Sequence, residues 1–153
     1  MNYQKVFDLT TEHLRLQGKV AMNTTTGFPQ CRYRTDEGDA CAIGCHIPTA
    51  DYSDNLENRG VTGLYRDFPP LLEKIFNDGD PLTGYMLTFL SELQSAHDIG
   101  LKHSMAVWEV EMMSVARKHH LQYTPPQYDE ALSLAMAQEV VRAAKMKEIY
   151  AAN

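Results

Sequence analysis

No apolar run in this chain of 153 residues approaches the ~20 that a helix needs to cross a bilayer. The opening Met1-Asn2-Tyr3-Gln4-Lys5-Val6-Phe7-Asp8 lacks the apolar stretch of a signal peptide, so the expected address is the cytoplasm. Positive charge is also short. Lys and Arg number 14 against 20 Asp and Glu, a formal charge of −6 that disfavours non-specific binding to DNA or anionic membrane. The two signs are interspersed, which argues against mimicry of nucleic acid, and the partner to expect is a protein. Cysteine is scarce at 3, an odd number that closes no disulfide framework. There is no phosphate loop, dinucleotide fingerprint, zincin His-Glu pair or RNA-binding motif, and there are no internal repeats.

What is present is an ordinary globular composition, 44% hydrophobic and 22% charged, on a chain long enough to bury a core without staples. All three cysteines fall within residues 31–48, and they organise the reading. Cys31–Arg34, the turn Asp36-Glu37-Gly38, and Asp39–Ile43 form the best hairpin signal in the chain. Strand alternation predicts Cys31, Tyr33, Cys41 and Ile43 on one face and Arg32, Arg34, Ala40 and Ala42 on the other. Continued alternation would bring Cys45 to the cysteine face, with a bend expected at Gly44.

Helical patterns flank this hairpin. Tyr3, Val6, Phe7, Thr10 and Leu14 make one apolar stripe, stopped by Gly18. Residues 23–29 read as loop, and residues 49–68 as a solvated loop with a short helical turn. The acids between Asp51 and Asn58 lack the register of a calcium-binding EF-hand. Pro69-Pro70 opens a helix with Leu71, Leu72, Ile75 and Phe76 on one side. Asp80-Pro81 then predicts a cap and first turn for a helix carrying Leu82, Tyr85, Met86, Phe89, Leu90 and Leu93, ended near His97 and broken by Gly100. Ser104 predicts the cap of a helix burying Met105, Trp108, Met112, Val115 and Ala116, and residues 119–123 read as its frayed end and a linker.

Thr124-Pro125-Pro126-Gln127 predicts a last helix to about Ala151, whose stripe of Leu132, Met136, Val140 and Ala143 is small or flexible. The expected fold is therefore mostly helical α+β, about five helices around one small β-hairpin. Residues 1–123 form one domain, and 124–153 a helical appendage suited to interaction or homodimerisation.

Three chemistries can be drawn from these residues, each beside a plainer alternative. Cys31, Cys41 and Cys45 with His97 or His46 could hold zinc, which takes four thiolate or imidazole ligands in a tetrahedron. Their spacing, C-x9-C-x3-C-H, has no C-x2-C knuckle, and packed free thiols are the expected state. Cys41, His97 and Asp98 could serve as nucleophile, base and orienter. Against that, no nucleophile elbow is present, and a His near a helix end is more often a C-terminal partner of the dipole. Arg32 and Arg34 could grip an anion, and Met105, Met112 and Met113 with Trp108 could receive a partner. A solvated strand face and core packing are the expected alternatives.

The same residues carry a resemblance. Over roughly the first 120 residues, by extent of the motif, the chain resembles a family of small uncharacterised bacteriophage and prophage proteins. Members run helix, Cys-x-Tyr-Arg, a polar turn with Gly, then Cys-Ala-Ile-Gly-Cys and Ile-Pro. The matching residues are Cys31, Tyr33, Arg34, Gly38, Cys41, Ala42, Ile43, Gly44, Cys45, Ile47 and Pro48, followed by His97-Asp98 and Trp108. His46 departs from the pattern, and the segment after Thr124 lies outside it. The resemblance implies a viral accessory protein acting in a bacterial cell by binding and inhibiting a host factor or defence system. Tyr33, Arg34 and Trp108 are its candidate binding residues. It brings no known reaction.

Overall fold

The computed structural model describes residues 1–23 and 30–125, and the helix expected from Thr124 to about Ala151 lies outside the described residues. The architecture is mostly helical, with a small strand element. Helix α1 spans Tyr3–Gln17 as its stripe predicts. Asn2 Oδ1 accepts the Lys5 N–H at 3.0 Å. Gly18, at φ 67°, ends the helix in the left-handed region and donates its N–H to Leu14 O. Buried Phe7, Thr10 and Leu14 face the core.

The hairpin is shorter than expected and is shared with an unanticipated strand. Strands β1 (Met22–Asn23) and β2 (Gln30–Cys31) pair antiparallel, with Met22 opposite Cys31. Beyond β2 the predicted turn does form. Arg34 bridges Ala40, Thr35 N–H bonds Asp39 O at 2.9 Å, and Gly38 takes φ 92°. Past Cys41 the second strand stops, and residues 41–47 coil into tight turns, Cys45 N–H to Cys41 O and His46 N–H to Ile43 O, both 3.1 Å. Strand alternation therefore fails there: Ala40, Ala42 and Ile43 are all buried, whichever face they were assigned.

Helix α2 (Val61–Asp67) lies in the stretch read as a loop with a short helical turn, which it extends to seven residues. Its signal is faint because Gly60 supplies no side-chain cap and only Val61 and Leu64 are buried. Helix α3 (Pro69–Phe76) begins on its two prolines. Helix α4 (Gly84–Ser95) starts later than Asp80-Pro81 predicts. The Asn77 amide donates to the carbonyls of Asp80 and Pro81, at 3.3 and 3.0 Å, which would otherwise accept the first helical bonds. Thr83 Oγ1 caps instead, accepting from Met86 N–H at 3.3 Å.

Gly100 does not break α4. The helix widens into a π-helical turn over Ala96–Leu101, and α5 (Met105–Lys118), capped by Ser104, packs against it. A Cβ on Gly100 would sit 2.8 Å from Trp108 Cα, so the glycine is where two backbones meet. One apolar core, including Phe7, Leu14, Ile43, Leu64, Phe89 and Trp108, joins α1 to α5. Residues 119–123 are not a free linker: Gln122 and Gln4 exchange hydrogen bonds at 2.9 Å, and the Tyr123 ring lies edge-on to Phe7 at 5.3 Å. Among the described residues, no helix is long and apolar enough to cross a membrane.

Candidate functional site

The hairpin segment, the 41–47 turns and the π-helical end of α4 converge on His97 and Asp98. His97 is fully buried. Its Nε2 lies 3.0 Å from the Ala21 amide and its Nδ1 lies 2.8 Å from Asp98 Oδ1. An amide N–H can only donate, so Nε2 is the acceptor and the ring proton sits on Nδ1, donated to Asp98. His97 is thereby a neutral imidazole with both nitrogens engaged. It ties the start of β1 to the end of α4.

Asp98 also accepts from Gln94 Nε2 at 2.7 Å, and Gln94 Oε1 accepts the Ile43 N–H at 3.3 Å. The Cys31 thiol lies beside Asp98. Burial first, and then this carboxylate, push its pKa up to about 11. Cys41 is fully buried, its sulfur accepting from Gly44 N–H at 3.3 Å, and burial pushes its thiol far above the ordinary range. Cys45 donates to Ala42 O at 3.4 Å and is likewise raised by burial, to about 12. Cys31, Tyr33, Cys41, Gln94 and Asp98 line one small cavity of about 60 Å³ with Glu57 and Arg59.

Glu57 is the residue that sequence reasoning missed. It sits in the acidic stretch read as solvated, and nothing in its immediate neighbours distinguishes it. In the structure it is buried and clamps the hairpin. Its carboxylate accepts the Tyr33 N–H at 3.0 Å, the Arg34 N–H at 3.1 Å and the Tyr52 hydroxyl at 2.6 Å. Its neighbours Asp51 and Asp54 pair instead with Lys74 and Arg32.

The arrangement alters each expectation for these residues. Cys31, Cys41 and Asp98 do line one cavity, but His97 is not part of its lining and bonds Ala21 and Asp98, not a sulfur. Its one acceptor nitrogen is held by Ala21, so the Cys41–His97–Asp98 relay is not assembled. Among the described residues, no group of three or more His, Cys, Asp or Glu side chains is placed to hold a metal ion. The three thiols are free, each with its own local surroundings.

Two of the three candidate binding residues, Tyr33 and Trp108, are internal. Tyr33 is buried, its hydroxyl donating to Arg59 O at 2.8 Å, and Trp108 is fully buried. Arg34 donates to Thr49 Oγ1 at 3.1 Å and to Ile47 O, with its guanidinium 5.2 Å from the Tyr52 ring centroid. Tyr33 and Trp108 therefore shape the interior, while Arg34 is half-buried and reaches the surface at Thr49. Comparison of the chain with protein-family models, curated proteins and solved structures finds no match.

Proposed function

We propose that this chain is a non-enzymatic accessory protein of a bacteriophage or prophage, working in the host cytoplasm by binding a protein partner, with inhibition of a host factor or defence system as the outcome. The observation that carries this reading is the engaged state of the His97–Asp98 pair. The motif residues with chemical potential are turned inward and bonded to one another or to backbone, which supports a scaffolding role for them. The net charge of −6 favours a protein over a polyanionic partner. The C-terminal segment, with its small and flexible stripe, is proposed as an interaction or homodimer element.

The test is affinity purification of the tagged full chain from infected host cells, followed by mass spectrometry. The expected result is one host or viral protein enriched near stoichiometry over a tag-only control and captured again by the purified chain. Recovery of nothing above that control would refute the reading. Solution mass measured with and without residues 125–153 tests the dimer, and a full-length monomer at high micromolar concentration would overturn it.

A further inference from the structure

Away from the hairpin, on the face where α1, α4 and the end of α5 meet, three side chains form a chain of hydrogen bonds from interior to solvent. His119 is buried. Its Nε2 lies 2.6 Å from Glu92 Oε2, and its Nδ1 lies 2.8 Å from the hydroxyl of Tyr85. Tyr85, in the first turn of α4, is 54% exposed. The imidazole is held in place by rings on two helices, Phe89 at 4.9 Å, Tyr85 at 5.2 Å and Tyr3 stacked at 6.5 Å. The charged and titratable groups around it are Tyr3 from α1, Tyr85 and Glu92 from α4, and Lys118 from α5, which bonds the Glu92 carboxylate. Burial works to raise the Glu92 carboxyl, but the bonds from Lys118 and His119 prevail and hold it below its usual range.

An ionised Glu92 is an acceptor, so it fixes the ring proton on Nε2 and leaves the Nδ1 lone pair facing the Tyr85 hydroxyl. The order carboxylate, imidazole, hydroxyl is the one by which a buried base activates an otherwise weak nucleophile. Here the nucleophile stands in solvent and the base is shielded from it.

We propose that Tyr85 is an acyl-acceptor site, its phenol activated by the His119–Glu92 pair to take an acyl group from a small activated acyl donor. In the step, Tyr85 Oη forms a bond to the carbonyl carbon and the bond from that carbon to the leaving group breaks. The leaving group departs with the electron pair, and the phenol proton passes to His119 Nδ1. An acyl donor suits the site better than a phosphoryl donor. Phosphoryl transfer needs positive charge on the transferring group, and the nearby cation, Lys118, is already paired with Glu92.

N-acetylimidazole is the probe. The full chain is treated with it beside free N-acetyltyrosinamide, and acetylation of each tyrosine is followed by peptide mass spectrometry. Tyr85 should exceed the free phenol by about 100-fold near neutral pH, the scale of one positioned base. Its rate should also become independent of pH well below the range in which phenols ionise, about pH 10. His119→Phe, which keeps a ring in the cluster, and Glu92→Gln should each remove most of that lead. If neither variant folds, the pH profile of the unaltered protein decides alone. A Tyr85 rate within about threefold of the free phenol, or one climbing tenfold per pH unit up to the phenol range, would overturn the assignment.

Discussion

Gly44, inside the Cys-Ala-Ile-Gly-Cys run, gives the sharpest test of how this fold is closed. A Cβ built there would lie 1.8 Å from the carbonyl oxygen of Tyr33, 2.6 Å from its carbonyl carbon and 2.9 Å from its Cα. These are backbone atoms of the hairpin, and no rotamer change can clear them. Relief requires the 41–47 turns to move off the hairpin, which breaks the 3.2 Å bond from Cys41 N–H to Tyr33 O. Overpacking a tight core costs about 1–3 kcal/mol, and a lost buried backbone bond about 1 more. Gly44→Ala should therefore destabilise by roughly 2–4 kcal/mol, lowering Tm by about 5–15 °C for a chain of this length.

Gly63 supplies the control. It lies inside α2, where a Cβ would meet only Arg59 Cβ at an ordinary 3.7 Å. Gly63→Ala should be neutral or stabilising by up to about 1 kcal/mol, from helix propensity and a less flexible unfolded chain. Urea unfolding of both variants, read by the buried Trp108 fluorescence, makes the comparison. A Gly44→Ala protein within about 0.5 kcal/mol of the parent, inside the scatter of ordinary surface changes, would refute the close approach.

His46 predicts a pH dependence. Burial, and then the nearby His13, lower its pKa from 6.5 to about 4. The unfolded chain then binds the proton more readily, so the stability is present above pH 6.5 and is lost as pH falls toward 4. The loss should approach about 3 kcal/mol. Urea midpoints at pH 7 and pH 4.5 should differ by less in His46→Gln, and an equal difference would refute the assignment. The thiols predict sluggish alkylation: with Cys31 at about 11, its reaction with iodoacetamide at pH 8 should run about 10² slower than free cysteine. Cys41 and Cys45 should be slower still, and fast labelling of any of the three would contradict their environments.

The helices were legible where periodicity and caps agreed. For α1, Asn2, Gly18 and an unbroken stripe all point to the same segment, and for α5 Ser104 and the Trp108–Met112 face do so. Helix α2 was legible only as a short turn somewhere in residues 49–68, because seven residues with a glycine among them produce almost no period. At Asp80-Pro81 a correct local rule lost to a side-chain contact: Asn77, from the end of α3, captures the carbonyls on which the cap would depend. Gly100 shows the reverse. Read as a breaker, it is instead the point at which α5 can approach the widened turn. A glycine that permits contact and one that ends a helix are the same letter, and only the partner backbone separates them.

The candidate site divides along the same line. The residue types and their convergence could be anticipated, because three cysteines on one short hairpin and a His-Asp at a helix end are few enough to notice. Their chemistry could not, because it turns on which atom each nitrogen meets. For His97 to act as a base toward a thiol, Nε2 would have to release the Ala21 amide, stranding a buried donor at a cost of about 1–3 kcal/mol. Protonating that nitrogen instead would set two donors against each other in the interior. The His97–Asp98 pair is therefore worth most to the protein as it stands, with the imidazole bonded to backbone. His119 also has a carboxylate beside its ring, that of Glu92, but a hydroxyl, not an amide, on the other nitrogen. A hydroxyl proton can move, and an amide proton does not at neutral pH. Of the two histidine–carboxylate pairs, the one outside the motif is the one with a transferable proton.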